Sequence, residues 1–118
     1  MPAVFFVVRA TVADPAKRAA FDAWYRNEHL PDATKSWGVK KAWRVWGLSD
    51  PSLHQATYQF DDQAALDRAM NGEDIKRLVA DFNRAWPEVS RSRETVVLAE
   101  EFGAEESRVV VRRRDRSC

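Results

Sequence analysis

The residues best suited to chemistry lie together in one short segment. Positions 24–32 read WYRNEHLPD and bring two aromatic rings, two carboxylates and a histidine close together. Pro31 disfavours helical geometry at the residue before it, so we predict that a helix ends near Leu30. His29 would then lie in the last turn, four residues after Tyr25 and on the same helix face.

His29 is the candidate catalytic acid or base, because imidazole is the side chain whose ordinary pKa lies closest to neutrality. The negative end of a helix dipole and the carboxylates of Glu28 and Asp32 would favour the protonated ring. Burial against Trp24 and Tyr25 would oppose it. We predict that the charges dominate and raise the pKa of His29 above about 6.5. The alternative is a purely structural histidine that caps the helix end.

The neighbouring aromatic residues and one arginine are candidate ligand-binding residues. Trp24 and Tyr25 could line a pocket for a planar ligand, although aromatic residues at helical spacing can equally be core. Arg44 interrupts an apolar strand, and a charge that points inward needs a partner. Glu28 or a substrate anion would serve as that partner, whereas an arginine at the sheet end or at a subunit interface would be only structural.

Composition excludes several classes of function. The chain has 118 residues, 45% of them hydrophobic, and a net charge of +1, which gives no field that would attract nucleic acid or an anionic membrane. Arg112–Arg114 has no interleaved aromatic residues, so we expect no nucleic-acid partner. The only cysteine is Cys118, and His29 and His54 have no helical His-x-x-x-His spacing, so we expect no metal site. No apolar run reaches membrane-spanning length, and we expect a cytoplasmic protein.

The pattern along the chain predicts a β-α-β-β-α-β domain. Asp14 and Pro15 form a helix start, and Asp61–Asp62 caps a second helical region that Asn71–Gly72 divides. We predict strands at about 3–12, 39–48, 53–60 and 93–102. This order is the split βαβ arrangement of ferredoxin-like α+β domains, an antiparallel sheet with helices on one face. The domain would cover residues 1–102, and residues 103–118 would form a charged tail with a possible extra edge strand at Val109–Val111.

The predicted strands are apolar on both faces, although helices can cover only one. Residues 5–8 are four consecutive apolar residues and so occupy both faces of the first strand, and Trp43 with other large residues populates both sides of the second strand. A second layer must therefore cover the open face. With no spare chain available, we predict a homodimer in which two copies pack through this face.

These elements resemble the EthD-like members of the dimeric α+β barrel superfamily. The pattern that carries the resemblance is FxxWYxxEHxPD at 21–32, then GVxxAxR at 38–44, then Tyr58 and a Trp-Pro pair before the last strand. The resemblance implies two sheets packed into a barrel, with one pocket per subunit between the sheet and the helices. It also implies activities that include cofactor-free isomerases, cyclases and monooxygenases. The sequence departs from the pattern at Trp37, where proline is usual, and two tryptophans flank Arg44.

We therefore expect a small enzyme that needs no cofactor and acts by acid–base chemistry on an oxygenated ring-like or polyketide-like metabolite. His29 would move the proton, Tyr25 and Arg44 would hold an oxygen or carboxylate, and an apolar wall would comprise Trp24, Trp46 and Tyr58. Isomerase, cyclase, lyase and monooxygenase chemistry all remain open. The alternatives are a non-catalytic ligand-binding or stress-associated homodimer and, third, a protein that handles haem.

Overall fold

The computed structural model describes residues 2–103, so the predicted tail strand at 109–111 lies outside the described residues. The strands are β1 (Val4–Thr11), β2 (Lys41–Trp46), β3 (Leu53–Phe60) and β4 (Ser90–Val97). The helices are α1 (Arg18–Trp24), α2 (Leu30–Trp37), α3 (Gln63–Asn71) and α4 (Glu73–Ala85), with a 3₁₀ turn at Pro15–Lys17 and a π turn at Tyr25–His29. Within residues 2–103, no helix is long and apolar enough to cross a membrane.

The four strands form one antiparallel sheet in the order β2-β3-β1-β4. Alternate residues of β1, including Phe6 and Val8, are buried towards the helices together with Ala56 and Tyr58 of β3. Phe21 of α1 and Phe82 of α4 complete the core above them. The predicted ferredoxin-like α+β arrangement is confirmed, with the helices on one face of the sheet.

The first helical segment starts as predicted but does not end where predicted. The Asp14 side chain accepts a hydrogen bond from the Ala16 N–H, and Pro15 opens the 3₁₀ turn. The helix then continues past Pro31 to Gly38, which closes it with a φ of 67°. The predicted end near Leu30 is wrong because the π turn accommodates the proline, which would clash with a carbonyl four residues earlier in a regular α-helix.

The last strand was predicted at about 93–102 but runs from Ser90 to Val97, so it both starts and ends earlier than predicted. Its pairing with β1 runs from Thr11 opposite Ser90 to Val4 opposite Val97, so β1 is fully paired by residue 97. One further backbone hydrogen bond, from the Leu98 N–H to the Ala3 carbonyl, follows at 2.8 Å. Most residues of the observed strand are polar. The prediction followed the apolar residues, which lie further along the chain.

The face of the sheet away from the helices is partly apolar. Trp43, Val45 and Val96 are 37%, 49% and 40% exposed there, and Phe5 contacts the Trp43 ring edge-on. The expectation of an apolar open face holds for this patch only, because other positions on the same face are polar. For example, the Arg9 guanidinium donates a hydrogen bond to the Gln55 side chain.

Candidate functional site

A small cavity lies between the sheet, α4 and the helical segment that contains the π turn. Its volume is about 30 Å³, which is room for about one water molecule. We call it the central cavity. Its polar lining residues are Tyr25, His29, Trp37, Tyr58, Arg91 and Arg93, and its apolar lining residues are Phe6, Val8, Ala33, Ile75, Leu78, Val79 and Phe82.

His29 forms part of the wall between this cavity and the protein surface. It also lines an open groove of about 320 Å³ between the first helical segment and α4, which we call the α1–α4 groove. The His29 ring stacks on Trp24 with ring centroids 4.5 Å apart and meets the edge of Tyr25 at 5.0 Å. The imidazole can therefore be reached from both sides, one apolar and one solvated.

Burial lowers the pKa of His29 to about 4, although the nearby Asp32 and Asp81 carboxylates act in the opposite direction. The predicted rise above 6.5 is wrong for two physical reasons. His29 lies inside a continuous helical segment, so no helix end is available to stabilise a positive charge. The rings that surround it also remove water, which penalises the imidazolium. His29 is consequently neutral at pH 7 and fits the role of a base better than that of an acid.

The Asp32 carboxylate beside His29 is bound by side chains of α4 and α2. It accepts two hydrogen bonds from the Arg77 guanidinium of α4, at 2.7 and 3.2 Å, and a third from Ser36. These contacts hold the pKa of Asp32 below its ordinary value. The pair links α2 to α4 beside the cavity.

Two buried tyrosine hydroxyl groups lie side by side in the cavity wall. Burial raises the pKa of Tyr25 to about 12, partly offset by a side-chain hydrogen bond from Tyr58. Burial likewise holds the pKa of Tyr58 well above its ordinary value. Both hydroxyls therefore keep their protons at neutral pH. Tyr58 donates its hydrogen to Tyr25, so the Tyr25 hydrogen is the one that can be donated to a further oxygen atom.

Arg44 and Trp46, predicted as substrate-binding residues, do not line the central cavity. The Arg44 guanidinium and the Trp46 indole both donate to Oδ1 of Asp22, at 3.0 and 2.9 Å. Arg26 donates to the other carboxylate oxygen of Asp22. The predicted partners of Arg44, Glu28 or a substrate anion, are thus replaced by Asp22. The Trp46 hydrogen bond and the arginines together lower the pKa of Asp22.

His54 completes this second group of polar residues and is fully buried. Its Nε2 lies 3.2 Å from Nη1 of Arg44, and because a guanidinium only donates, Nε2 must accept. Nδ1 then carries the hydrogen, and it has no partner among the described residues. Burial, reinforced by Arg44, lowers the pKa of His54 to about 4. Tyr25 lies between the two groups, with its ring 4.6 Å from His54 and 5.6 Å from the Arg44 guanidinium.

The structure therefore brings only part of the predicted site together. His29, Tyr25 and Tyr58 share the central cavity, and Trp24 lies next to it in the α1–α4 groove. Arg44 and Trp46 belong to the Asp22 group. Across residues 2–103, no group of three or more histidine, cysteine or acidic side chains is placed to hold a metal ion.

Sequence reasoning missed three residues that line the cavity. Trp37 was noted only as a departure from a family pattern, and its buried Nε1–H has no hydrogen-bond partner within residues 2–103. Arg91 and Arg93 occupy alternate positions of β4 and face the helices. Their spacing of two residues, which places both side chains on one face of a strand, could have identified them. The predicted strand began at residue 93 and therefore left out Arg91.

Comparisons with solved structures find the same fold. SnoaB, a cofactor-independent oxygenase from Streptomyces nogalater, matches with a TM-score of 0.65 and 16% identity over 84% of this chain and 95% of that one. An EthD family protein from Bacillus halodurans matches with a TM-score of 0.59 and 19% identity, over 86% of this chain and 100% of that one. A dimeric ferredoxin-like protein from an uncultured marine organism matches at 0.51 and 14%, over 86% and 100%.

This chain has a ferredoxin-like fold, which these solved structures share. The ferredoxin-like fold predicted from the order of elements is thereby confirmed. No family model and no curated protein sequence matches the chain. At these identities the neighbours establish the fold, and activity must be argued from the side chains.

Proposed function

We propose that the protein is a small enzyme that moves a proton on an oxygenated, ring-like metabolite without a bound cofactor. One observation carries this proposal: a neutral, largely buried His29 shares a cavity with two tyrosine hydroxyls that stay protonated. A base placed beside hydrogen-bond donors is the arrangement that enolisation requires, because the donors stabilise the oxyanion as the base removes the proton. The SnoaB neighbour, an oxygenase that needs no cofactor, supports an enzyme of this kind.

The roles follow from position and protonation state. His29 would accept the proton from a carbon or hydroxyl of the substrate and pass it to water in the α1–α4 groove, which the same ring lines. Tyr25 would donate a hydrogen bond to the substrate oxygen, and Tyr58 would support Tyr25 through the bond between the two hydroxyls. Trp24 would hold the imidazole plane by stacking. Arg44 and Trp46 would act only through Tyr25 and Asp22.

The small size of the cavity favours a second candidate function, a non-catalytic homodimer (ligand-binding or stress-associated) in which the aromatic residues lining the cavity are mainly core. A volume of about 30 Å³ is far below the several hundred Å³ of a typical small-molecule site. A catalytic substrate therefore requires the first helical segment and α4 to separate, a motion that the Arg77–Asp32 pair resists.

The third candidate function, haem handling, is tested by adding haemin to the protein and recording the Soret band. Absence of a shifted band removes this function.

Deuterium exchange tests the catalytic proposal without knowledge of the complete reaction. The probe is 2-tetralone, a fused-ring ketone with acidic C–H groups, in deuterated buffer, and proton NMR measures the exchange rate. We expect the protein to accelerate exchange, His29→Gln to reduce the acceleration by about 100-fold or more, and Tyr25→Phe to reduce it less. Arg68→Gln, an exposed change on α3, is the control and should exchange at the wild-type rate.

Two results would contradict the catalytic proposal. One is exchange at the buffer rate with the wild-type protein, and the other is full acceleration by a correctly folded His29→Gln variant. Binding of the ketone without exchange would instead support the ligand-binding protein.

The proposed enzyme would work as a homodimer. The apolar patch on the open sheet face, with Trp43, Val45 and Val96 at 37%, 49% and 40% exposure, supports this assembly, because a monomer would leave it in water. A dimeric ferredoxin-like protein among the structural neighbours supports it too. Light scattering at micromolar concentration should give twice the chain mass of 13.6 kDa, and a stable monomer at that concentration would contradict it.

A further inference from the structure

Among residues 2–103, the central cavity is lined by hydrogen-bond donors and by no carboxylate. Trp37, Arg91 and Arg93 can only donate, and the hydroxyls of Tyr25 and Tyr58 are held in their protonated forms. The acceptors among the polar lining side chains are the neutral His29 and the tyrosine oxygens, and the oxygen of Tyr25 already accepts a hydrogen bond from Tyr58. The Nε1–H of Trp37 is buried and without a partner in the part of the chain that the structure describes. A molecule that matches this lining must supply acceptor oxygens.

Arg91 places a positive charge against this donor-rich lining without a carboxylate to neutralise it. Its guanidinium lies over the Phe82 ring at 4.1 Å, and Nη1 donates to the Asn83 side chain at 2.8 Å. Within residues 2–103 it forms no ion pair, although it is only half-exposed. Its positive charge acts on the cavity groups, since it lowers the pKa of both Tyr25 and His29.

Arg93 adds a second positive charge at the mouth of the cavity. It lies two residues further along β4 on the same face, about 7 Å away along the strand, and also has no ion pair among the described residues. The two positive charges repel each other, and this repulsion contributes to lowering the pKa of Arg91. An anion between them would relieve that repulsion.

An entry route leads past the same residues. A surface groove of about 270 Å³, which we call the β4-edge groove, is lined by Phe6, Met70, Ile75, Arg93, Glu94 and Thr95. It shares Phe6, Ile75 and Arg93 with the central cavity, so the two spaces adjoin along the edge strand. A ring lying in this groove would place its polar end beside Arg93 and Arg91.

We infer that the ligand is a planar organic anion whose ring lies in the β4-edge groove and whose carboxylate or enolate oxygens bind Arg91 and Arg93 where this groove adjoins the central cavity. This inference rests on the proposed function for the identity of the site and adds the charge of the substrate. The anion also satisfies the Trp37 N–H, and its negative charge raises the basicity of His29, which is otherwise a weak base at neutral pH.

Calorimetric titration with two matched probes tests the inference. 2-Naphthoate carries the charge, whereas 2-naphthamide has nearly the same shape and none. We expect the wild-type protein to bind the carboxylate at least about tenfold more tightly than the amide, because hydrogen bonds to charged groups are the stronger ones. This preference should decline at high salt, since Arg93 is exposed to solvent.

Charge-neutral variants identify the residues responsible. Arg91→Gln should abolish most of the preference for the carboxylate, and Arg93→Gln should reduce it less. Arg68→Gln removes the same charge from an exposed site outside the cavity and should retain the wild-type preference. Thermal unfolding of each variant without ligand, compared with that of the wild type, shows whether the fold is intact.

Equal affinity for the two probes, no binding of either, or a full preference in folded Arg91→Gln would overturn the inference. The proposed function is judged separately by deuterium exchange in His29→Gln. If the carboxylate preference is absent but His29-dependent exchange is observed, the anionic ligand is rejected and the proposed proton transfer is retained. If the carboxylate is preferred but no exchange is observed, the proton transfer is rejected and the anionic ligand is retained.

Discussion

Lowering the pH should destabilise this protein already between about pH 6.5 and 4, above the range in which carboxylates take up protons. His29 and His54 both have pKa values lowered to about 4 by burial. In the unfolded chain each would take up a proton near pH 6.5. Between pH 6.5 and 4 the unfolded state therefore binds more protons than the folded state, and the free energy of unfolding must fall as the pH falls.

The size of the effect follows from the two shifts. Each histidine contributes about 1.4 kcal/mol per pH unit, so the pair gives a slope of about 2.7 kcal/mol per pH unit. Over the full interval the loss reaches about 7 kcal/mol, which is comparable to the whole stability of a small domain. Asp22 and Asp32, whose pKa values are lowered, stabilise the fold above about pH 4 and lose that contribution only as the pH falls further.

Urea denaturation at a series of pH values measures this slope directly. The wild-type free energy of unfolding should be nearly constant above pH 7 and should decline steeply from pH 6.5 to 4.5. In His29→Gln the slope should fall to about half, since one of the two proton-binding groups is gone. Arg68→Gln, which changes an exposed charge, should follow the wild-type curve with a small constant offset.

A flat profile between pH 6.5 and 4.5 would refute the reasoning, as would stability that increases on acidification. Either result would mean that the histidines are protonated in the folded state near their ordinary pKa. An unchanged slope in His29→Gln would show that the proton uptake belongs to other groups.

Further predictions concern the backbone, the Asp22 group and the sheet face. Gly38→Ala should lower the free energy of unfolding by about 1 kcal/mol, because its φ of 67° strains any side chain but a Cβ there meets no neighbour. Gly47→Ala should cost several times more in the same urea assay, since its Cβ would collide with the Asp50 carbonyl. Asp22→Asn should lower the free energy of unfolding by about 2 kcal/mol, as the partly buried Arg44 loses its counter-charge. Val45→Glu should convert the proposed dimer to a monomer of about 13.6 kDa in light scattering, because it places a charge in the apolar patch.

The strand and helix pattern was predictable where local chemistry is strong. β3 has the predicted ends, and Asp14 and Asp62 cap their helical segments through side-chain hydrogen bonds. The helix end near Leu30 was not predictable, because a π turn depends on packing around the whole segment rather than on the presence of Pro31.

Two residues of the candidate site were predictable from the sequence, but the pKa shift of His29 and the partner of Arg44 were not. His29 and Tyr25 share a helix face by spacing alone, and both line the cavity. The direction of the His29 pKa shift depended on how many rings surround it, which requires the tertiary structure. The partner of Arg44 lies 22 residues away at Asp22, and only the packing of α1 on the sheet brings the two together.

The protonation state of His29 decides whether the proposed chemistry can operate. Proton–nitrogen NMR of the imidazole, followed from pH 3 to 9 with His29→Gln to assign the signal, measures it directly. The account predicts a ring that is neutral at pH 7 and takes up a proton only as the pH approaches 4 or as the protein unfolds in acid. A midpoint at or above 6.5 would mean that the ring is solvated and charged, and it would contradict the role of His29 as the base of this cavity.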